Sequence, residues 1–224
     1  MKPLVLKVRL WLSILHREKR RGDNMKIALI IISCYLLGSI PFGYIVGKLF
    51  KKIDIREFGS GNIGTANAFR ILGPTLASLV LIGDIGKGIF SIYLVQYLNI
   101  DNLLILTIAG LAVICGHDWS LFLGFKGGKG IATTFGVVFA LNPTISILAL
   151  IVWGVVVITT RYVSLSSILA VISIFIFTIL FKQPYEYIIF SAIILIIGIF
   201  KHKENIERLK LKKERKIGEK VKID

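Results

Sequence analysis

The chain has only two cysteines, three histidines, two methionines and five prolines in 224 residues. Cys34 and Cys115 both stand in or beside apolar runs, so they read as packing residues and cannot build a disulfide framework or a zinc site. No cluster of His, Cys or carboxylates stands at ligand spacing, so no metal or other cofactor is expected. Acid is scarce: 13 Asp and Glu face 28 Lys and Arg, a formal charge of +15. Charged residues make up 18% of the chain and apolar ones 55%, with a mean hydropathy of +0.78, which is not the balance of a soluble domain. The positive charge gathers in loops and ends, as in a membrane protein, and there is no soluble domain to carry a nucleic-acid function.

What the chain has instead is a series of apolar runs near membrane-span length, continuing to Phe200. They predict an all-α integral membrane protein, residues 25–200 forming one bundle. Residues 27–50 give a first span of about 36 Å, with Pro41 as a kink. Residues 71–98 and 103–115 follow. Asn142-Pro143 divides 131–160 into a short or partial span and a second span, and 162–181 and 187–200 complete the set. Parity keeps the basic loop at 126–130 on the same side as the basic tail, giving about seven crossings with the C-terminus in the cytoplasm. Residues 1–24 carry seven Lys and Arg against Glu18 and Asp23. On this topology they would sit on the wrong side, and Met25 opens an ordinary membrane-protein start. They are read as an extension outside the translated protein.

Three polar islands interrupt the apolar pattern: two motif loops at 58–70 and 116–130, and a basic tail at 201–224. The loop CGHDWSLFLGFKGGKG sets Lys126 and Lys129 around Gly127 and Gly128, a combination suited to an anion such as phosphate. It is not a Walker A loop, because Leu123 and Gly130 stand where that pattern needs glycine and Ser or Thr. A flexible basic connector is the competing reading. In FGSGNIGTANAFR, Ser60, Asn62, Thr65 and Asn67 offer hydrogen-bonding groups, and Arg70 offers a charged fork for carboxylate or phosphate. Asp84 and Lys87 lie three apart inside a span and can pair on one helix face. Each would cost roughly 2.5–3.5 kcal/mol if exposed to lipid, so both should face the interior. His202, Asn205 and Arg208 share one face of a helix continuing out of the membrane.

On these residues the chain resembles the bacterial acyl-phosphate:glycerol-3-phosphate acyltransferases (PlsY type), over 26–216. GSGNIGTANAFR resembles that family's G-S-G-N-x-G-A-T-N-x-x-R, with the threonine and alanine exchanged so that Thr65 presents its hydroxyl one residue early. GHDWSLFLGFKGGKGIAT resembles G-H-x-x-P-x-F-x-x-F-K-G-G-K-G-x-A-T, with Ser120 in place of proline. HKENIERLKLKKERK resembles H-x-x-N-I-x-R-L-x-x-G-x-E-x-K, with Lys212 in place of glycine, a departure expected to alter only a turn beyond the site. Asp84, Lys87 and Gly88 resemble its D-x-x-K-G element.

The resemblance implies a seven-span bundle of the bacterial inner membrane with a cytoplasm-facing site. It implies transfer of a fatty acyl group from acyl phosphate to the 1-hydroxyl of glycerol 3-phosphate, giving lysophosphatidic acid for phospholipid biosynthesis. Lys129 and the Gly127 and Gly128 amides are expected to hold the donor phosphate, with Asn62 nearby. Arg70, Ser60, His202 and Asn205 are expected to hold and aim glycerol 3-phosphate. Thr65, Asn67, Lys87, His117 and Arg208 are further substrate-binding candidates, capping or orienting the loop being the other role for His117. His202, with a reference pKa of about 6.5, or a substrate phosphate would take the proton. A soluble enzyme making acyl phosphate from acyl-carrier protein is the implied partner. There is no G-x-S-x-G elbow, and neither His117 nor His202 has an aspartate five residues on, which excludes the H-x4-D acyltransferases. The alternative outside enzymes is a transporter or binding protein for a phosphorylated small molecule, compatible with the buried charge pair and the Pro-broken segment.

Overall fold

The computed structural model describes residues 24–219, and the basic extension expected at 1–24 lies outside the described residues but for Asn24. Among the described residues there are helices and short loops and no strands. The first helix, α1 (Asn24–Lys51), is broken at Ile40 and Pro41, where proline supplies no amide to the helix ladder. A short amphipathic helix α2 (Thr65–Leu72) then ends at Gly73, whose φ of 86° suits only glycine, and Pro74 begins α3 (Pro74–Tyr97). The span expected over 71–98 is α3, which starts at Pro74 after the break at Gly73, and Thr65, Asn67 and Arg70 are helical rather than in a loop. Next comes α4 (Leu103–Asp118), a turn longer than expected, so that His117 closes a helix.

The break expected at Asn142-Pro143 is present. Helix α5 (Ile131–Leu141) stops there, and the Asn142 side chain accepts the Ile145 amide at 3.2 Å to cap α6 (Pro143–Thr160). The chain continues through α7 (Val163–Leu180), α8 (Tyr185–Lys201) and α9 (Lys203–Lys210). A bend of 59° at His202 separates the last two, so the tail does not extend the final span.

Five of these helices are long and apolar enough to cross a membrane, or six if the bent pair counts as one span. The remaining apolar helix, α5, has 11 residues, about 16 Å against a hydrocarbon core of about 30 Å. It lies in the interior, and Tyr187 closes its far end by donating to the Leu141 carbonyl at 2.7 Å. Against the seven crossings expected, the described residues thus hold five or six segments of span length and one short central helix.

Helices α3 and α5 make the most extensive helix contact. Their backbones meet at glycines: a Cβ on Gly88 would strike the Thr133 carbonyl, and one on Gly136 would strike that of Ile85. This crossing fixes the N-terminus of α5, directly after Lys129. Gly88→Ala is expected to lower stability by about 1–3 kcal/mol through overpacking. Thermal unfolding in detergent measures this, and an unchanged midpoint would contradict the backbone contact.

Candidate active site

The site begins with a buried charge cluster under the glycine loop. Asp84 and Lys87 lie on successive turns of α3, 2% and 5% exposed, and pair at 2.9 Å. The Lys87 ammonium also donates to the Ile40 carbonyl at 3.0 Å, freed by the break in α1, and meets His117 Nδ1 at 2.9 Å. An ammonium only donates, so Nδ1 accepts and the His117 proton sits on Nε2, facing Gly128. Lys87 is thus held by a carboxylate, a carbonyl and a ring nitrogen, and it braces the loop instead of lining the cavity.

The loop is seated on the end of α4. The Gly128 amide donates to the His117 carbonyl at 2.9 Å, so it is already engaged, unlike the free phosphate donor expected from the sequence. A Cβ at Gly127 would strike the same carbonyl, and one at Gly128 the His117 ring, so these glycines are required by packing. Gly130 turns with φ of 67° over Asp118 and leads into α5, whose N-terminus has no side-chain cap. Such a terminus favours an anion. Ser120, standing in for the proline of the resemblance, donates to the Ser39 carbonyl at 2.5 Å and ties the loop back to the break in α1. Of the two loop lysines, Lys126 points to the exterior and Lys129 into the site.

In the first motif, Asn67 is 1% exposed and spends its amide on the loop before it. Its oxygen accepts the Ser60 amide at 2.9 Å, and its nitrogen donates to Ile55 and Phe58 carbonyls at 3.1 Å. The Asn62 oxygen accepts the Gly64 amide at 2.8 Å. Thr65 Oγ1 is buried without a partner among the described residues. Arg70 lies one turn beyond Asn67 on α2, on the cavity wall.

The third motif is drawn in by Glu214, which the sequence reading left unassigned. Its carboxylate accepts from Asn205 at 2.6 Å, from Arg208 at 2.8 Å and from Ser164 on α7 at 2.8 Å. Burial would raise its pKa, but these three donors outweigh it and hold the carboxyl below its usual range. The turn carrying it runs through Lys212 at φ 55°, the position of the missing glycine. That turn does not lie beyond the site, as expected from sequence; it delivers Glu214 to it. The His202 Nδ1 donates to the Gly198 carbonyl at 2.8 Å, leaving the Nε2 lone pair available. Asn205 in turn accepts a short hydrogen bond from Lys129.

These groups surround one cavity of about 680 Å³. Ser60, Asn62, Thr65, Asn67, Arg70, His117, Lys129, His202, Asn205 and Arg208 all line it, with Glu214 and Arg215. Its other half is apolar, running between α3, α5, α6 and α7 past Ile85, Phe135, Leu150 and Ile174. A smaller cavity of about 210 Å³ lies across the loop, lined by Gly127, Gly128, Lys201 and Lys203, and Asn62 and Lys129 border both. Lys201, unassigned from sequence, donates to the Asp118 carbonyl at 2.7 Å over the Trp119 ring. Burial, reinforced by Arg208, pushes the Lys129 pKa down to about 8.

The family model described as glycerol-3-phosphate acyltransferase matches residues 28–212. A glycerol-3-phosphate acyltransferase of Desulforamulus reducens is 46% identical over 197 residues, covering 88% of this chain and 98% of that protein. One from Alkaliphilus metalliredigens is 44% identical over 195 residues, covering 87% and 98%. The crystal structure of PlsY (YgiH), an integral membrane glycerol 3-phosphate acyltransferase in its glycerol 3-phosphate form, aligns with a TM-score of 0.81. It is 41% identical and covers 86% of this chain and 96% of its own. Its lysophosphatidic acid form aligns with a TM-score of 0.79 at 40% identity. The chain belongs to the glycerol-3-phosphate acyltransferase family.

Proposed function

We propose that this membrane enzyme moves a fatty acyl group from acyl phosphate to the 1-hydroxyl of glycerol 3-phosphate, releasing phosphate and lysophosphatidic acid. The observation that carries the reading is one cavity in which a cationic head, with Lys129, Arg70 and Arg208, opens directly into an apolar groove. A donor with a phosphate head and an alkyl tail matches that division. The related PlsY structures, in glycerol 3-phosphate and lysophosphatidic acid forms, support the acceptor and the product.

An acyl phosphate already carries its leaving group, so no covalent protein nucleophile is required. Lys129 and the N-terminus of α5 neutralise the departing phosphate as its charge grows. Asn62 lies beside both cavities at the junction where the acyl carbonyl would sit. Arg70, Ser60 and Arg208 hold the glycerol phosphate, and His202 Nε2 or a phosphate oxygen accepts the hydroxyl proton. Bringing two anions together is the main task, and the excess of cations (Arg70, Lys129, Arg208 and Arg215) over Asp84 and Glu214 along the cavity serves it. The site faces the cytoplasm of the bacterial inner membrane, where the positive-inside rule puts these basic segments and where a soluble enzyme would deliver acyl phosphate.

The test uses purified protein in detergent with acyl phosphate and glycerol 3-phosphate, following phosphate and lysophosphatidate together. Parent protein should yield both in equal amounts, and Lys129→Ala should lose about 10²–10³-fold in rate. Phosphate without lysophosphatidate would contradict the acceptor assignment, and counterflow of glycerol phosphate without acyl product would favour a transporter.

Because the Lys129 pKa is pushed down to about 8, raising pH through that value removes the charge from the free enzyme. Donor kcat/KM should therefore fall above about pH 8, and Lys129→Arg should move that limb upward. A flat profile to pH 10 in the parent would contradict this. Glu214→Ala frees Asn205, Arg208 and Ser164 together; it should raise the KM for glycerol 3-phosphate by about tenfold or more.

A further inference from the structure

The apolar half of the large cavity runs between α6 and α7. On α7, Ser164 holds Glu214 at the polar end, and Ser167, Ala170 and Ile174 continue the same cavity wall over about 15 Å. On α6 the facing positions are Trp153 and, one turn deeper, Leu150 and Ala149. Trp153 therefore stands near the level of Ser167, with the small side chains of Ala149 and Ala170 beyond it. Its indole Nε1 donates to Ser167 Oγ at 3.4 Å. The Ser167 proton is itself committed to the Val163 carbonyl at 2.8 Å, so a lone pair is what the indole receives. One edge of the largest ring in the groove is thus fastened across the two helices, and the wall beyond it carries the small side chains of Ala149 and Ala170 beside Leu150 and Ile174.

We propose that Trp153 is the residue that sets how far an acyl chain enters the groove, and hence which chain lengths the enzyme accepts. The inference rests on the acyl-donor reading above. Short chains end above the indole. Longer ones must lie along its face to reach the space beside Ala149 and Ala170. An aromatic ring held by a hydrogen bond yields less readily than an aliphatic side chain of similar bulk, because displacing it leaves the indole N–H unpaired.

Competition among decanoyl, tetradecanoyl and octadecanoyl phosphates in one reaction reads the ratio of kcat/KM values directly. Trp153→Ala should raise the octadecanoyl-to-decanoyl ratio by about tenfold, a change typical of one or two methylenes gained in an apolar pocket. Trp153→Phe keeps most of the bulk and should return the ratio toward the parent's. Ala170→Leu, which fills space beyond the indole, should lower the octadecanoyl-to-decanoyl ratio by about tenfold. Ratios unchanged from the parent in both Trp153→Ala and Ala170→Leu would overturn the proposal while leaving the acyl-donor reading intact. If Trp153→Ala does not fold, an unaltered ratio in Ala170→Leu overturns it alone. A parent that makes no lysophosphatidate from any acyl phosphate would instead refute the reading beneath it.

Discussion

The arrangement depends on one buried ionic contact, the Lys87 ammonium between Asp84, His117 and the Ile40 carbonyl. Charges this deep in a membrane protein are costly unless fully partnered, and removing one partner from such a set typically costs about 3–5 kcal/mol. The contact joins three pieces of chain distant in sequence: the break in α1, the middle of α3 and the end of α4. Through the His117 carbonyl it also reaches the Gly128 amide. Pro41 is the counterpart in the backbone, since the break it imposes exposes the carbonyl that Lys87 takes up. The glycine loop is therefore held from below, by the interior of the bundle.

Above that base the site is organised by a second carboxylate. Glu214 binds three donors from two different segments and is the acid at the centre of a cationic surround. It turns the tail segment after α9 back over the cavity, so that a stretch that looks like a solvated anchor becomes a wall. A further tie lies nearby, where the Ile217 amide donates to the Arg161 carbonyl at 2.8 Å and the Arg161 guanidinium donates to the Ile217 carbonyl at 3.2 Å. The acid orders Asn205 and pairs with Arg208, while Arg70, Lys129 and Arg215 leave the cavity positive overall.

Much of this was legible in the sequence, for identifiable reasons. Asp84 and Lys87 declare themselves because charges three apart inside an apolar run must find each other or an interior partner. Asn142-Pro143 combines a capping side chain with a residue preorganised for a helix start, and the structure uses both. His202, Asn205 and Arg208 share a face as their spacing requires, although the helix bends beneath them. What was not legible came from long-range contacts. Glu214 meets Ser164 across fifty residues of chain, and no local pattern announces that. The engagement of the Gly128 amide depends on where α4 ends, a turn later than polarity suggested. Trp153 sits in a helix that is apolar all round, so hydropathy gives no clue to which face meets a cavity.

The large cavity is also open on its flank, where Phe69 and Leu81 are 41% and 38% exposed along its lining. On the proposed reading, a donor tail can slide in from the bilayer without passing through water, and a product tail can leave the same way. The concentration that governs saturation is then a surface density, counted per area of membrane. Diluting the protein with extra lipid would slow the reaction at fixed total substrate, as ordinary solution kinetics would not anticipate. The glycerol phosphate arrives from three dimensions and the acyl donor from two, and the enzyme stands where those reservoirs meet.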